Sequence, residues 1–266
     1  LTVLLADIGG THARFGLFEG GALSRCEKMV SANHETLQDA IHTYLSTAGA
    51  QTHRFRMATA AWPDSDGIYR FTDLAGWVMD PAAMAEAGWG IETICNDFVA
   101  ASYGALSLPD AQKTVLRPGR RDVKSPVLVV GPGTGLGLSY AHPLDGGTWR
   151  VQETFGAHMI AAAHTDEQAV ILQTIRATKK TGGVVFFEDV ASGRGLPLLH
   201  AAVCVIRGLE QPERLSARAM IETPDAPGVR DTLRLFHEFF GLFLHTCLIT
   251  THGFGGIIVT GGLADR

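Results

Sequence analysis

Four short stretches of this chain hold residue types that handle phosphate and hydroxyl groups. Asp7-Ile8-Gly9-Gly10-Thr11 follows an apolar run, and two glycines there let the backbone turn tightly and bring N–H groups close to a phosphate oxygen. In that setting the Asp7 carboxylate would hold Mg²⁺ through water, because this ion keeps most of its hydration shell and bridges to phosphates. An ordinary hairpin with glycines at positive φ accounts for the same letters. Gly131-Pro132-Gly133-Thr134-Gly135-Leu136-Gly137 repeats the pattern, again between two strand-like runs. Two such turns at equivalent positions suggest opposing clamps on one polyphosphate. Neither is a GxxxxGK[ST] loop, and neither is a GxGxxG that opens a helix.

Asn96-Asp97 falls at the end of a predicted strand, Ile91 to Cys95, and just before a predicted helix. Open α/β sheets place ligand-handling groups there. Either side chain could equally cap the helix that begins at Phe98, a role worth about 1 kcal/mol, and the local sequence leaves both readings open. His158 and Glu188 taken alone read as surface residues. The 11 histidines form no HExxH pattern, and the four cysteines, Cys26, Cys95, Cys204 and Cys247, form no CxxC or Cys/His zinc pattern.

The elements that must position these residues show an approximate internal repeat. An apolar strand, a Gly-rich turn and a second strand run from Leu1 to Gly21 and again from Ser125 to Gly147. After the first copy, Asn33 with Leu37, Ile41, Tyr44 and Leu45 predicts a capped helix, followed by strands near Phe55 to Ala61 and Ile91 to Cys95 and a helix over Phe98 to Leu106. After the second, Thr165 and Gln168 predict a capping box on a helix reaching about Lys179. Gly228 to about Thr251 reads as a long helix, and Ile257 to Thr260 as a buried strand. Leu108-Pro109-Asp110 reads as a hinge, which divides the chain into a small α/β domain over 1–108 and a larger one over 109–266.

The 266 residues are 46% apolar, enough to bury a substantial core. A net charge of −5 from 22 basic and 27 acidic residues offers no general attraction for nucleic acid or anionic membrane. Leu1 to Ala6 is too short for a signal or spanning segment and no later stretch is long enough, so a soluble protein is expected. The scattered cysteines suit a reducing cytoplasm.

The same residues resemble the bacterial glucokinases, of the hexokinase-like group in the actin-like ATPase superfamily, along nearly the whole chain. ADIGGTHARFGLF resembles the family's first phosphate motif, with His12 in place of the usual Asn; CNDFVA carries its Asn-Asp pair; GPGTGLG resembles the second phosphate motif. FEDVASGRGL resembles the family's glutamate followed by a Ser-Gly turn, and IIVTGGL its glycine pair beside the adenosine. The resemblance implies the two-domain actin-like (ribonuclease H-like) α/β fold, with MgATP and a hexose meeting in the cleft between domains. It implies transfer of the γ-phosphoryl group to the C6 hydroxyl of glucose. Asp97 would be the base, and Asn96, Asp97, His158 and Glu188 would hold the sugar. Asp7, Gly9, Gly10, Thr11, Gly133, Thr134, Gly135, Gly261 and Gly262 would hold the nucleotide, with Asp7 on Mg²⁺ through water. The family commonly forms dimers, so a homodimer is a further implication, as is a cytoplasmic place in glycolysis.

Two features depart from that family. Its EGGH box reads Phe155-Gly156-Ala157-His158 here, so the histidine is kept and the sugar-binding glutamate is not. If the segment is extended, Glu153 shares a face with position 155 and is the nearest substitute; alternatively Phe155 packs in the core. Family members also continue for several dozen residues beyond the glycine pair, whereas this chain ends at Arg266, which points to weaker adenine binding. Both departures support a second reading, a catalytically impaired sugar-binding or regulatory protein. The absence of a Cys-rich zinc motif separates the chain from the ROK kinases.

Overall fold

A computed structural model of the protein describes residues 1–71, 74, 76–179, 183–210 and 215–264; the Asp265 and Arg266 end lies outside them. The chain forms two compact units, Leu1–Ala101 and Ser102–Arg266.

The first unit opens with β1 (Val3–Ile8), β2 (His12–Glu19) and β3 (Ala22–Val30), followed by α1 (Leu37–Ala48) and β4 (Arg54–Thr59). A short ribbon of β5 (Tyr69–Arg70) and β6 (Val78–Met79), then α2 (Pro81–Glu86), leads to β7 (Gly90–Asn96) and α3 (Asp97–Ser107). The division between units falls inside α3. The sheet runs β3-β2-β1-β4-β7. β1, β2 and β3 pair antiparallel, and β4 and β7 add in parallel to β1. Helix α1 buries Leu37, Ala40, Ile41 and Tyr44, the i, i+3, i+4, i+7 set of one helical face. That stripe packs with Leu4, Ile8, Phe15, Phe55 and Met57 of the sheet. Thr36, not Asn33, caps α1: its hydroxyl accepts from the Asp39 amide at 3.0 Å, while Asn33 lies in the preceding helical turn Ser31–Asn33.

The second unit repeats this beginning with β8 (Val127–Pro132), β9 (Leu136–Pro143) and β10 (Trp149–Glu153). Helices α4 (Asp166–Thr178), α5 (Leu196–Arg207), α6 (Ala217–Glu222) and α7 (Val229–Thr251) then lead to β11 (Gly256–Val259). Its sheet runs β10-β9-β8-β11, with the first three antiparallel and β11 parallel to β8. The sequence repeat is therefore a repeat of topology, an antiparallel meander whose first strand gains a parallel neighbour.

All six residues of β8 are buried, as expected of a strand covered on both faces. β11 is the correction: it was expected as a buried strand, yet Ile257 is 39% exposed, because β11 stands at the sheet end with β8 as its one partner among the described residues. Helix α7 buries Val229, Thr232, Leu235, Phe236, Phe239, Phe243 and Cys247 along one side; each large apolar side chain so buried contributes about 1.5–3 kcal/mol. At α4, Thr165 caps as expected, accepting the Gln168 amide at 3.2 Å. Gln168 closes the box one residue early: its Oε1 accepts the His164 amide, and its Nε2 donates to Glu238 of α7. Among the described residues, no helix is long and apolar enough to cross a membrane.

Candidate active site

In the first unit, the expected residues gather at the C-terminal ends of the parallel strands. Ile8 of β1 is in register with Thr59 of β4, and Thr59 with Asn96 of β7. The ends of β1 and β7 are thus two strand spacings, about 10 Å, apart. Gly9 follows β1 in a tight return in which its amide donates to the His12 carbonyl at 3.0 Å. The amides of Gly10 and Thr11 make no hydrogen bond among the described residues, so two donors stand at the strand end, as an anion nest requires. β1 and β2 form a hairpin here, but neither Gly9 nor Gly10 adopts positive φ, which corrects that part of the expectation. A Cβ at Gly9 would lie 3.2 Å from the His12 carbonyl oxygen, so close backbone approach explains the glycine.

Asp7 Oδ2 accepts from Arg14 Nη1 at 2.6 Å. The two residues face each other across β1 and β2. The sequence reading missed Arg14 as Asp7's partner, although a hairpin centred on Gly10-Thr11 places it opposite. The pair leaves the Asp7 side chain 42% exposed. One accessible carboxylate beside unbonded amides fits a water-bridged Mg²⁺ carried on phosphate. Among the described residues, no three His, Cys, Asp or Glu side chains cluster to hold a metal directly.

Asp97 begins α3 immediately after Asn96 ends β7. The Phe98 amide donates to Asn96 Oδ1 at 2.9 Å and to Asp97 Oδ1 at 2.7 Å, so both side chains act as caps. Capping does not exhaust Asp97. Burial pushes its carboxyl above the ordinary aspartate range, the Phe98 hydrogen bond opposes the shift, and the charge of Asp7 adds to it. A carboxylate with a raised pKa is a better proton acceptor.

In the second unit, Gly133-Thr134-Gly135 forms the link between β8 and β9, closed by the Gly133 amide on the Gly135 carbonyl at 2.9 Å. None of its glycines has positive φ. The amides of Thr134 and Gly135 make no hydrogen bond among the described residues. The Ser192–Gly195 turn buttresses this link, with the Gly193 amide on Gly133 O at 2.8 Å and the Arg194 amide on Thr134 O at 3.0 Å. Glu188, in the helical turn Phe187–Asp189, accepts the Leu136 amide at 3.2 Å through Oε2 and pairs with Arg194 Nη2 at 3.3 Å through Oε1. The expected sugar ligand thus touches the expected phosphate turn. A half-buried ion pair between Lys179 Nζ and Asp189 Oδ2, at 2.6 Å, fixes the turn that carries Glu188.

His158 is exposed, with its ring edge-on to Phe186 at 5.7 Å and 6.0 Å from Phe155. The chain does not stay extended after Glu153: β10 ends there, Phe155 has φ −88° and ψ 28°, and Gly156–His158 forms a helical turn. Strand alternation therefore cannot put Glu153 and Phe155 on one face. Gly156 sits where a Cβ would come within 2.3 Å of Leu138, which forces the close turn. Phe155 is 60% exposed, which overturns the core-packing alternative. Gly261 and Gly262 follow β11 beside the end of β8. The Leu263 amide donates to Pro132 O at 3.0 Å, and Gly261 has φ +103° with no room for a Cβ against that oxygen.

Residues 4–266 match the family model described as Glucokinase. The glucokinase of Marinobacter nauticus is 32% identical over 267 residues, covering 98% of this chain and 81% of the relative. A crystal structure of glucokinase from an Antarctic psychrotroph superposes with a TM-score of 0.82 at 29% identity, over 100% of this chain and 84% of that one. Glucokinase from Balamuthia mandrillaris in complex with glucose gives 0.76 at 18% identity, over 98% and 79%. A ROK family glucokinase from Streptomyces griseus in complex with glucose and AMPPNP gives 0.60 at 20%, over 100% and 84%. The fold is that of the two-domain actin-like ATPases.

Proposed function

The chain belongs to the glucokinase family, which makes it an ATP-dependent sugar kinase acting on glucose, and on that premise we propose that Asp97 is the base for phosphorylation of the C6 hydroxyl. What supports the assignment is the place of Asp97 at the start of α3, directly after β7 ends at Asn96, where burial raises its carboxyl above the ordinary range.

Asp97 takes the proton of the sugar hydroxyl as that oxygen bonds to the γ-phosphorus and the bond to the β,γ-bridging oxygen breaks, releasing ADP. Asn96, beside it, and His158 and Glu188 hold the remaining hydroxyls. The unbonded amides of Gly10 and Thr11, and those of Thr134 and Gly135, are suited to donate to phosphate oxygens. Asp7 would hold Mg²⁺ through water, and the ion would supply charge neutralisation on the phosphate oxygens. Gly9 and Gly133 let the backbone approach closely enough for these contacts. Gly261 and Gly262 leave space for the adenosine.

Coupled detection of ADP release across a panel of hexoses tests the reading. Glucose is expected to give the highest kcat/KM. Glucose binding without ADP release would instead mark a sugar-binding protein that has lost catalysis.

A further inference from the structure

The Ser192–Gly195 turn has so far only a supporting role, yet its backbone delivers a cation to the rim of the second glycine turn. Gly193 and Arg194 are hydrogen-bonded to Gly133 and Thr134 through main-chain atoms, and Gly193 is pressed so close that a Cβ would lie 2.8 Å from Gly133 O. The Arg194 backbone is therefore held beside the turn, and its guanidinium lies at Gly135. A Cβ on Gly135 would stand 3.0 Å from Glu188 Oε2 and 3.2 Å from Arg194 Nη2. One carboxylate and one guanidinium thus flank a turn whose Thr134 and Gly135 amides are unbonded among the described residues.

The two groups are unequally held. Glu188 is 24% exposed and accepts a backbone amide as well. Arg194 is 68% exposed and meets Glu188 through one contact of 3.3 Å, using one of five donors. An exposed single-contact pair of this kind is weak. A phosphate chain carries more charge than a carboxylate and accepts from a guanidinium in bidentate fashion, so it competes well for Arg194.

We propose that Arg194 is a phosphate ligand that links the two substrates. Its guanidinium leaves Glu188 for the phosphate oxygens of ATP at the Gly133–Gly135 turn, and Glu188, freed of its cation, accepts from a sugar hydroxyl. Without nucleotide, the ion pair occupies the carboxylate and weakens sugar binding; with nucleotide, sugar binding tightens, and by linkage the reverse holds. This rests on the glucokinase reading.

Calorimetric titration of glucose and of MgAMPPNP, each with and without the other, tests the proposal on the parent, Arg194→Ala and Arg194→Lys. In the parent, MgAMPPNP is expected to tighten glucose by about 5-fold or more. In Arg194→Ala that factor is expected to fall to near one, glucose alone to bind at least as tightly as in the parent, and MgAMPPNP to bind about 10-fold more weakly. Arg194→Lys should recover part of the nucleotide affinity as a point charge. Parent-like nucleotide affinity or parent-like coupling in Arg194→Ala overturns the inference while leaving the glucokinase reading intact. A parent that binds no glucose overturns both.

Discussion

The charge of Asp7 at the end of β1 raises the pKa of Asp97 at the start of α3, so the proposed metal-water ligand also tunes the proposed base. Burial is the larger cause and Asp7 adds to it, both lifting the carboxyl above its ordinary value of 3.8. The base works ionised, so kcat/KM should fall in acid with an apparent pKa above 3.8. Asp7→Asn removes one raising cause and should move that acid limb to lower pH, whatever it does to the maximum rate. A limb that stays in place would show that Asp97 does not set it.

Asp97→Asn should cut turnover by about 10²-fold or more without loss of stability. A folded-state pKa above the unfolded value contributes stability that is complete below the unfolded pKa and disappears as pH rises through the folded one. At pH 8 the ionised, partly buried carboxylate is thus unfavourable, and the neutral amide can still accept the Phe98 amide. Thermal unfolding at pH 8 should give an equal or higher Tm. A lower Tm with normal turnover per folded molecule would reduce Asp97 to a helix cap.

Gly135→Ala should raise KM for MgATP about 10-fold, because its methyl must displace Glu188 and Arg194 and disturb charge-assisted hydrogen bonds. Gly104, inside α3, has nothing within 4 Å of a Cβ. Gly104→Ala should leave KM alone and stabilise the fold by about 0.5–1 kcal/mol. Steady-state kinetics with chemical denaturation separates the two, and equal KM values would remove Gly135 from the nucleotide site.

Phe155→Glu should tighten glucose binding by about 10-fold or more, since a charged acceptor replaces a phenyl ring beside His158. The side chain is exposed, so stability should move by no more than about 0.5 kcal/mol. Glu153→Ala should leave glucose affinity within about 2-fold, as the chain turns after β10. Unchanged affinity in Phe155→Glu would take this segment out of the sugar site, and His158 with it.

Native thiol labelling should modify Cys26 quickly, because it is exposed, and spare Cys204 and Cys247, which are buried. Desolvation raises both buried thiols, Cys247 to about 12, so little thiolate exists at pH 8. Mass spectrometry before and after denaturation checks this; fast native labelling of Cys247 would mean that α7 opens readily.

Much of the candidate site was legible in the letters because it depends on local backbone. Asp7-Ile8-Gly9-Gly10-Thr11 and Gly133-Thr134-Gly135 had to lie at strand ends, since apolar β-branched runs precede them and glycine breaks such runs. Asn96-Asp97 had to lie between a strand and a helix for the same kind of reason. The paired copies of strand, turn and strand likewise foretold two α/β units. Other features were decided by tertiary structure. Glu188 and Arg194 reach the Gly133–Gly135 turn because Gly193 admits a backbone approach to Gly133 across more than fifty residues of chain, and no local pattern encodes a partner that distant. Phe155 left the strand direction where Gly156 packs against Leu138, a contact between the turn after β10 and strand β9. The pKa of Asp97 follows from burial and from the charge of Asp7, ninety residues earlier. Periodicity and turn chemistry act over a few residues and can be read in order; desolvation and charge act through space, and only the folded chain sets those distances.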